Sequence, residues 1–190
     1  MKRSLEAALV EYCAPTLAGV KPANLFLYRT SSGRQEVRSS ADALARTLAP
    51  YGIALRIVKE CVCKSYFLIY VYRESWVKRI LTERLTVSFL KSQGYETSGG
   101  LEQSLNQLSE RLCLEREFPH EIGIFLGYPL FDVISFMENK GRNYAFCGCW
   151  KAYDDPAGAR KRTDQYRKCS SIYKRMFENG TPILRLIVAA

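Results

Sequence analysis

The segment Tyr66 to Tyr72, YFLIYVY, is aliphatic or aromatic at every position. A strand of this kind has no polar face to offer to water, so both of its faces must be covered and it belongs at the centre of a sheet. Ile53 to Val58 shares its β-branched character, and Ala23 to Tyr28 is another apolar run suited to a strand. Before and between these runs the apolar residues take helical spacing. Leu5, Ala8, Leu9 and Tyr12 lead to a helix that Pro15 should stop, and Ala41, Leu44, Ala45 and Leu48 form the buried stripe of a second helix capped by Ser39 or Ser40. A polar turn is expected around Ser31 to Gly33.

Downstream of the central strand, Val77, Leu81, Leu85, Ser88 and Phe89 predict one helix ending at Gly94, and Leu101, Leu105, Leu108 and Leu112 predict another. The segment FPHEIGIFLGYP at Phe118 to Pro129 then reads as a strand over Glu121 to Leu126, an exit turn at Gly127 and Tyr128, and a helix that opens on Pro129 and reaches Met137 or Glu138. Tyr144 to Tyr153 is a short strand. Asp154 or Asp155 caps a long basic helix over 156–178, and Ile183 to Val188 forms a final strand. This order predicts an α/β or α+β fold: a single layered domain over 1–190, with a mixed sheet flanked by helices.

Composition narrows the function classes. At 190 residues and 47% apolar content the chain is long and hydrophobic enough to bury a substantial core. The formal charge of +9 favours anionic partners without choosing among them. The N-terminus begins like a signal peptide, but Glu6 and Glu11 interrupt its apolar region, so it reads as a mature helix in a cytoplasmic protein. No apolar stretch is long enough for a membrane span. The seven cysteines are accordingly expected to be reduced.

Several residues carry candidate chemistry. His120, the sole histidine, stands beside Glu121 and could move a proton near neutral pH, but adjacent strand residues face opposite sides, so the pair is not a ready dyad. A structural bond at the strand entrance is the competing role. Gly127 and Tyr128 sit where a strand gives way to a helix, a common crevice for anions. Cys13 is a candidate nucleophile, although the C-terminal end of a helix disfavours a thiolate. Thr16, Lys21 and Asn24 in the loop after it could contact a polar ligand.

Cys61 with Cys63, and Cys147 with Cys149, form two CxC pairs whose spacing is too short for the usual zinc framework; no residue is assigned to a metal. A redox role for a pair, with Cys147 as a reactive group, competes with ordinary core or surface cysteine. Arg160, Lys161, Arg162, Arg167, Lys168, Lys174 and Arg175 make the 156–178 helix basic enough for nucleic acid, but no nucleic-acid module accompanies it. No glycine-rich phosphate loop or other pattern specifies a cofactor.

CAPTLAGVKPANLF at Cys13 to Phe26, LIYVYR at Leu68 to Arg73, FPHEIGIFLGYPLFDV at Phe118 to Val133 and NYAFCGCWKAYDD at Asn143 to Asp155 together resemble one bacterial family, domain of unknown function 3793. The resemblance runs over the whole chain and implies no activity, cofactor or fold. Members of that family often carry histidine where this chain has Tyr12, and an aromatic residue where it has Cys149. The leading expectation is a non-catalytic or regulatory cytoplasmic protein that binds a small anionic molecule or a protein partner. A thiol-dependent or redox-related enzyme using Cys13, His120 or Cys147 is the alternative, with nucleic-acid binding third.

Overall fold

The structure, a computed structural model, describes residues 4–29, 33–115 and 117–189. Ser31 and Ser32 of the expected polar turn lie outside the described residues. The fold class is mixed α/β, with sheets flanked by helices, and the chain divides into two compact units. The first comprises residues 1–76 and 168–190, and the second residues 77–167.

In the first unit, α1 (Leu5–Leu17), β1 (Ala23–Arg29), α2 (Arg34–Leu48), β2 (Ile53–Cys61) and β3 (Tyr66–Arg73) follow in sequence. The sheet order is β1-β3-β2, so the apolar YFLIYVY strand is central as its composition requires. Its alternation serves two cores. Phe67, Ile69 and Val71 point into a cluster with Leu9 and Leu17 of α1, and Val37 and Leu48 of α2. Tyr70 and Tyr72 are buried on the opposite face, their rings stacked 4.7 Å apart. Both pairings are antiparallel, so the sheet is not mixed in direction.

Three further expectations are corrected in this unit. Pro15 does not end α1, which continues to Leu17, because a proline in the last turn removes a single helical bond and its own carbonyl still accepts the amides of Val20 and Lys21 at 3.0 and 3.1 Å. α2 starts at Arg34 with Gly33 as its cap, five residues before Ser39, because Val37 extends the buried stripe a turn earlier. Ile183 to Val188 is no strand: Ile183–Leu186 form a 3-10 turn that drops Ile183 and Leu186 into the core.

The second unit is mainly helical, with α3 (Glu74–Thr82), α4 (Arg84–Ser92), α5 (Gly100–Leu114), α6 (Ile122–Phe125), α7 (Leu130–Glu138), the two-residue strands β4 (Phe146–Cys147) and β5 (Lys151–Ala152), and the first half of α8 (Pro156–Glu178). α5 buries Leu101, Leu105, Leu108 and Leu112, the stripe its spacing predicts. The single helix expected over Val77 to Phe89 is instead α3 and α4, broken at Glu83 in extended conformation. The break shifts the buried stripe to Thr86 and Leu90 and leaves Leu85 73% exposed. Tyr144 to Tyr153 is a tight antiparallel hairpin rather than one strand. Asp155 does cap α8, accepting the Gly158 amide at 2.8 Å.

Candidate functional site

The largest correction falls on FPHEIGIFLGYP. Glu121 to Leu126 is not a strand: the amides of Ile122, Gly123 and Ile124 donate to the carbonyls of Pro119, His120 and Glu121 at 3.2, 3.1 and 3.0 Å, and the short helix α6 follows. Ile122, Gly123, Ile124 and Phe125 are all buried, a pattern that a half-covered strand cannot produce and that a short apolar run does not distinguish from helix by periodicity. Gly123 is needed for closeness, since a Cβ there would lie 2.7 Å from Val133 Cγ2 and 3.3 Å from the Tyr128 ring. Gly127, at φ +75°, turns the chain toward Pro129, which caps α7. The exit expected at the end of a sheet is therefore a helix-to-helix turn.

This turn, α7 and the β4–β5 hairpin line an open-mouthed cavity of about 350 Å³ within the second unit. Phe118, Ile122, Val133 and Phe136 supply apolar surface from the FPHEIGIFLGYP side, while Cys147, Cys149, Trp150 and Lys151 face it from the hairpin. Trp150 stacks on Tyr128 with ring centroids 5.2 Å apart, and the Tyr128 hydroxyl donates to the Cys149 carbonyl at 3.1 Å. Burial pushes the Tyr128 phenol well above its ordinary range. The tyrosine is thus a neutral donor that joins the two walls.

Asp132 fixes the hairpin from α7. Its buried carboxylate accepts Trp150 Nε1–H at 2.7 Å and the Tyr153 amide at 2.8 Å, with the Asp154 amide at 3.4 Å. The glycine of CGC has its own reason: a Cβ on Gly148 would collide with Thr163 Oγ1, which accepts the Cys149 amide at 3.2 Å. Lys151 is the only lysine or arginine among the described residues that line the cavity. Its ammonium donates to the Gly141 carbonyl at 2.7 Å and lies 4.8 and 5.7 Å from the centres of the Tyr144 and Phe136 rings. Among the described residues it has that one hydrogen-bond acceptor, and an ammonium can donate three bonds.

The predicted site residues separate into two groups. His120, Cys147 and Tyr128 line the one cavity, with the His120 ring edge-on to Phe136 at 4.9 Å. Gly127 and Tyr128 also border a second hollow of about 290 Å³ with Arg162 and Tyr166. His120 and Glu121 do not work as a pair: Glu121 is buried and its Oε1 accepts Arg111 Nη1–H at 2.8 Å and the Tyr95 hydroxyl at 3.1 Å. Asp132, Phe136, Trp150 and Lys151 were not singled out by sequence reasoning. Trp150 and Lys151 directly follow the CGC motif, the one signal that could have found them.

Cys13, Thr16, Lys21 and Asn24 lie in the first unit. Cys13 is fully buried within α1, and that burial raises its thiol far above the ordinary range despite the Lys21 charge. The Thr16 hydroxyl is buried and donates to Asn24 Oδ1 at 2.7 Å, joining α1 to β1. Arg73, at the end of LIYVYR, closes the C-terminus of α1 by donating Nε–H to the Thr16 carbonyl and Nη2–H to the Leu17 carbonyl, both at 2.8 Å. Gly19 at φ +68° lets the loop pass that guanidinium. CAPTLAG and LIYVYR therefore meet as a helix cap and its arginine.

Among the described residues, no group of three or more His, Cys, Asp or Glu side chains is placed to hold a metal ion. No helix among them is long and apolar enough to cross a membrane. The fold and the site thus define an α/β protein with an aromatic-walled cavity in its helical unit. The chain belongs to the family described as "Protein of unknown function (DUF3793)", which matches residues 9–187. No curated protein and no solved structure matches the chain.

Proposed function

We propose that this chain is a cytoplasmic protein whose cavity between the FPHEIGIFLGYP turn and the CGCW hairpin is a non-catalytic binding site for a small, flat, largely apolar molecule bearing one anionic group. The observation that carries the reading is the lining: apolar and aromatic walls with a single ammonium, Lys151, among them. Binding pockets for small molecules are mostly apolar with a few placed polar groups, and about 350 Å³ falls at the small end of their range. The body of the ligand would lie against Phe136 and the Trp150 side of the stacked pair, and its charge would face Lys151. Asp132 also lines the cavity and keeps its negative charge while it accepts the hairpin donors, so the anionic group would have to sit at the Lys151 end.

Titration calorimetry against a panel of aromatic carboxylates and phosphates tests this. Binding should weaken about tenfold or more in Lys151→Met, the loss of one charge-assisted contact. Cys147→Trp should block the cavity, whereas Cys147→Ser should leave affinity unchanged. A panel without any binder, or binders indifferent to Cys147→Trp, would remove the reading. The placement of His120 and Cys147 on the same cavity favours a second reading, a thiol-dependent enzyme. That reading requires Cys147 to alkylate faster at neutral pH than the other exposed cysteines, and to slow in His120→Ala.

A further inference from the structure

The other CxC pair lies at the tip of the β2–β3 hairpin, in the first unit. Cys61 is the last residue of β2, and the chain turns through Val62, Cys63, Lys64 and Ser65 before β3 begins at Tyr66. In a continuing strand the two thiols would merely share a face. Here the turn, with Ser65 at φ +47°, curls Cys63 back so that the two sulfurs are 3.3 Å apart. The tip is open to solvent: Cys63 is exposed and Val62 is 63% exposed.

The surroundings of the two sulfurs differ. The Cys63 thiol lies against the Cys61 sulfur, and the Lys64 backbone and charge and the Tyr66 hydroxyl also favour its thiolate. Hydrogen bonding from Cys63, followed by that from Lys64, holds the Cys61 thiol below its ordinary value of 9.0. The other charged groups of the hairpin end do not oppose this: Glu60 is paired with Arg38 at 2.6 Å and Arg34 at 3.6 Å, and Arg29 lies opposite Tyr66 on β1.

We infer that Cys61 and Cys63 form a dithiol site that reduces small-molecule disulfides by exchange, with Cys61 as attacking thiolate and Cys63 as resolving thiol. Cys61 gives its proton to solvent and attacks one sulfur of the disulfide RSSR, forming a Cys61–SR mixed disulfide and releasing RS⁻. The Cys63 proton passes to that RS⁻. The Cys63 sulfur then attacks Cys61 Sγ, closing an intramolecular disulfide and expelling the second RS⁻, which takes up the proton lost at the start. RSSR is reduced to two RSH as the dithiol is oxidised by two electrons. Exposed disulfides of this kind are readily reduced again, so the step can repeat with any dithiol reductant.

The test uses the full chain, reduced and freed of reductant, with glutathione disulfide as probe and peptide mapping by mass spectrometry. In the wild type the peptide holding both residues should lose two hydrogens without retaining glutathione. Cys63→Ser should trap glutathione on Cys61. In the unmodified wild type, iodoacetamide at neutral pH should label Cys61 about tenfold faster than the exposed Cys113 and Cys147. Stable glutathionylation of the wild-type pair, or Cys61 labelling no faster than Cys113 and Cys147, would overturn the assignment.

Discussion

Asp132 shows what a single side chain does in this molecule. One carboxylate holds the indole of Trp150 and the backbone after it, so Asp132→Ala should leave buried donors unsatisfied and cost about 3 kcal/mol in chemical denaturation. Asp132→Asn, which keeps one acceptor oxygen, should cost less. Arg111 is comparable. It pairs with the buried Glu121 and lies over the Tyr95 ring at 4.7 Å, so Arg111→Met should strand a buried carboxylate and cost about 3 kcal/mol. Glu121→Gln should lose less, since the Tyr95 hydroxyl can still donate to an amide oxygen. Neither residue was legible in the sequence, because both look like ordinary surface charges until a distant segment comes to meet them.

Elements are most legible in the sequence where the apolar spacing is long and regular. The central strand Tyr66–Arg73 and the leucine stripe of α5 follow directly from composition and period. The failures share a cause. Glu121 to Leu126 and Ile183 to Val188 are short apolar runs, and a run of that length is equally compatible with a strand and with a buried helical turn. Only the fit of Gly123 beneath Val133 and Tyr128 decides the first case. At Pro15 the helix continues because its end is held by tertiary contacts from Arg73, which no local rule contains. Arg73→Met should therefore fray the last turn of α1, and Gly19→Ala should cost about 1 kcal/mol from its left-handed backbone alone, both measurable by thermal melts and by hydrogen exchange at Ala18 and Gly19.

On the scale of the whole chain, the four segments that resemble the family pair off. CAPTLAGVKPANLF and LIYVYR meet at the cap of α1, and FPHEIGIFLGYPLFDV and NYAFCGCWKAYDD meet around the cavity. The first pair has a structural explanation in its hydrogen bonds; the second leaves a cavity. The sequence marked the segments without marking their partners, since contacts between distant residues have no local signature.

Both units also carry tyrosines that burial holds neutral. Tyr70, Tyr95 and Tyr128 are raised well above their ordinary value of 10.0. Below that pH the phenols are protonated in the folded and unfolded chain alike, so their contribution to stability is constant. Above it the unfolded chain ionises first, and stability falls as pH rises further. Denaturant melts should hold their midpoint up to about pH 10, other groups apart, and fall beyond it, with the tyrosinate absorbance of these three buried phenols appearing together with unfolding. Cys13, fully buried and raised far above the ordinary range, should stay unlabelled by iodoacetamide until that transition.

The proposal that the cavity is a ligand site is tested most directly by a crystal structure of the chain with the tightest-binding aromatic anion. The ring should lie between Phe136 and Trp150, with its acidic group within hydrogen-bonding distance of Lys151 Nζ. An anion bound elsewhere on the chain, with this cavity holding only solvent, would contradict it.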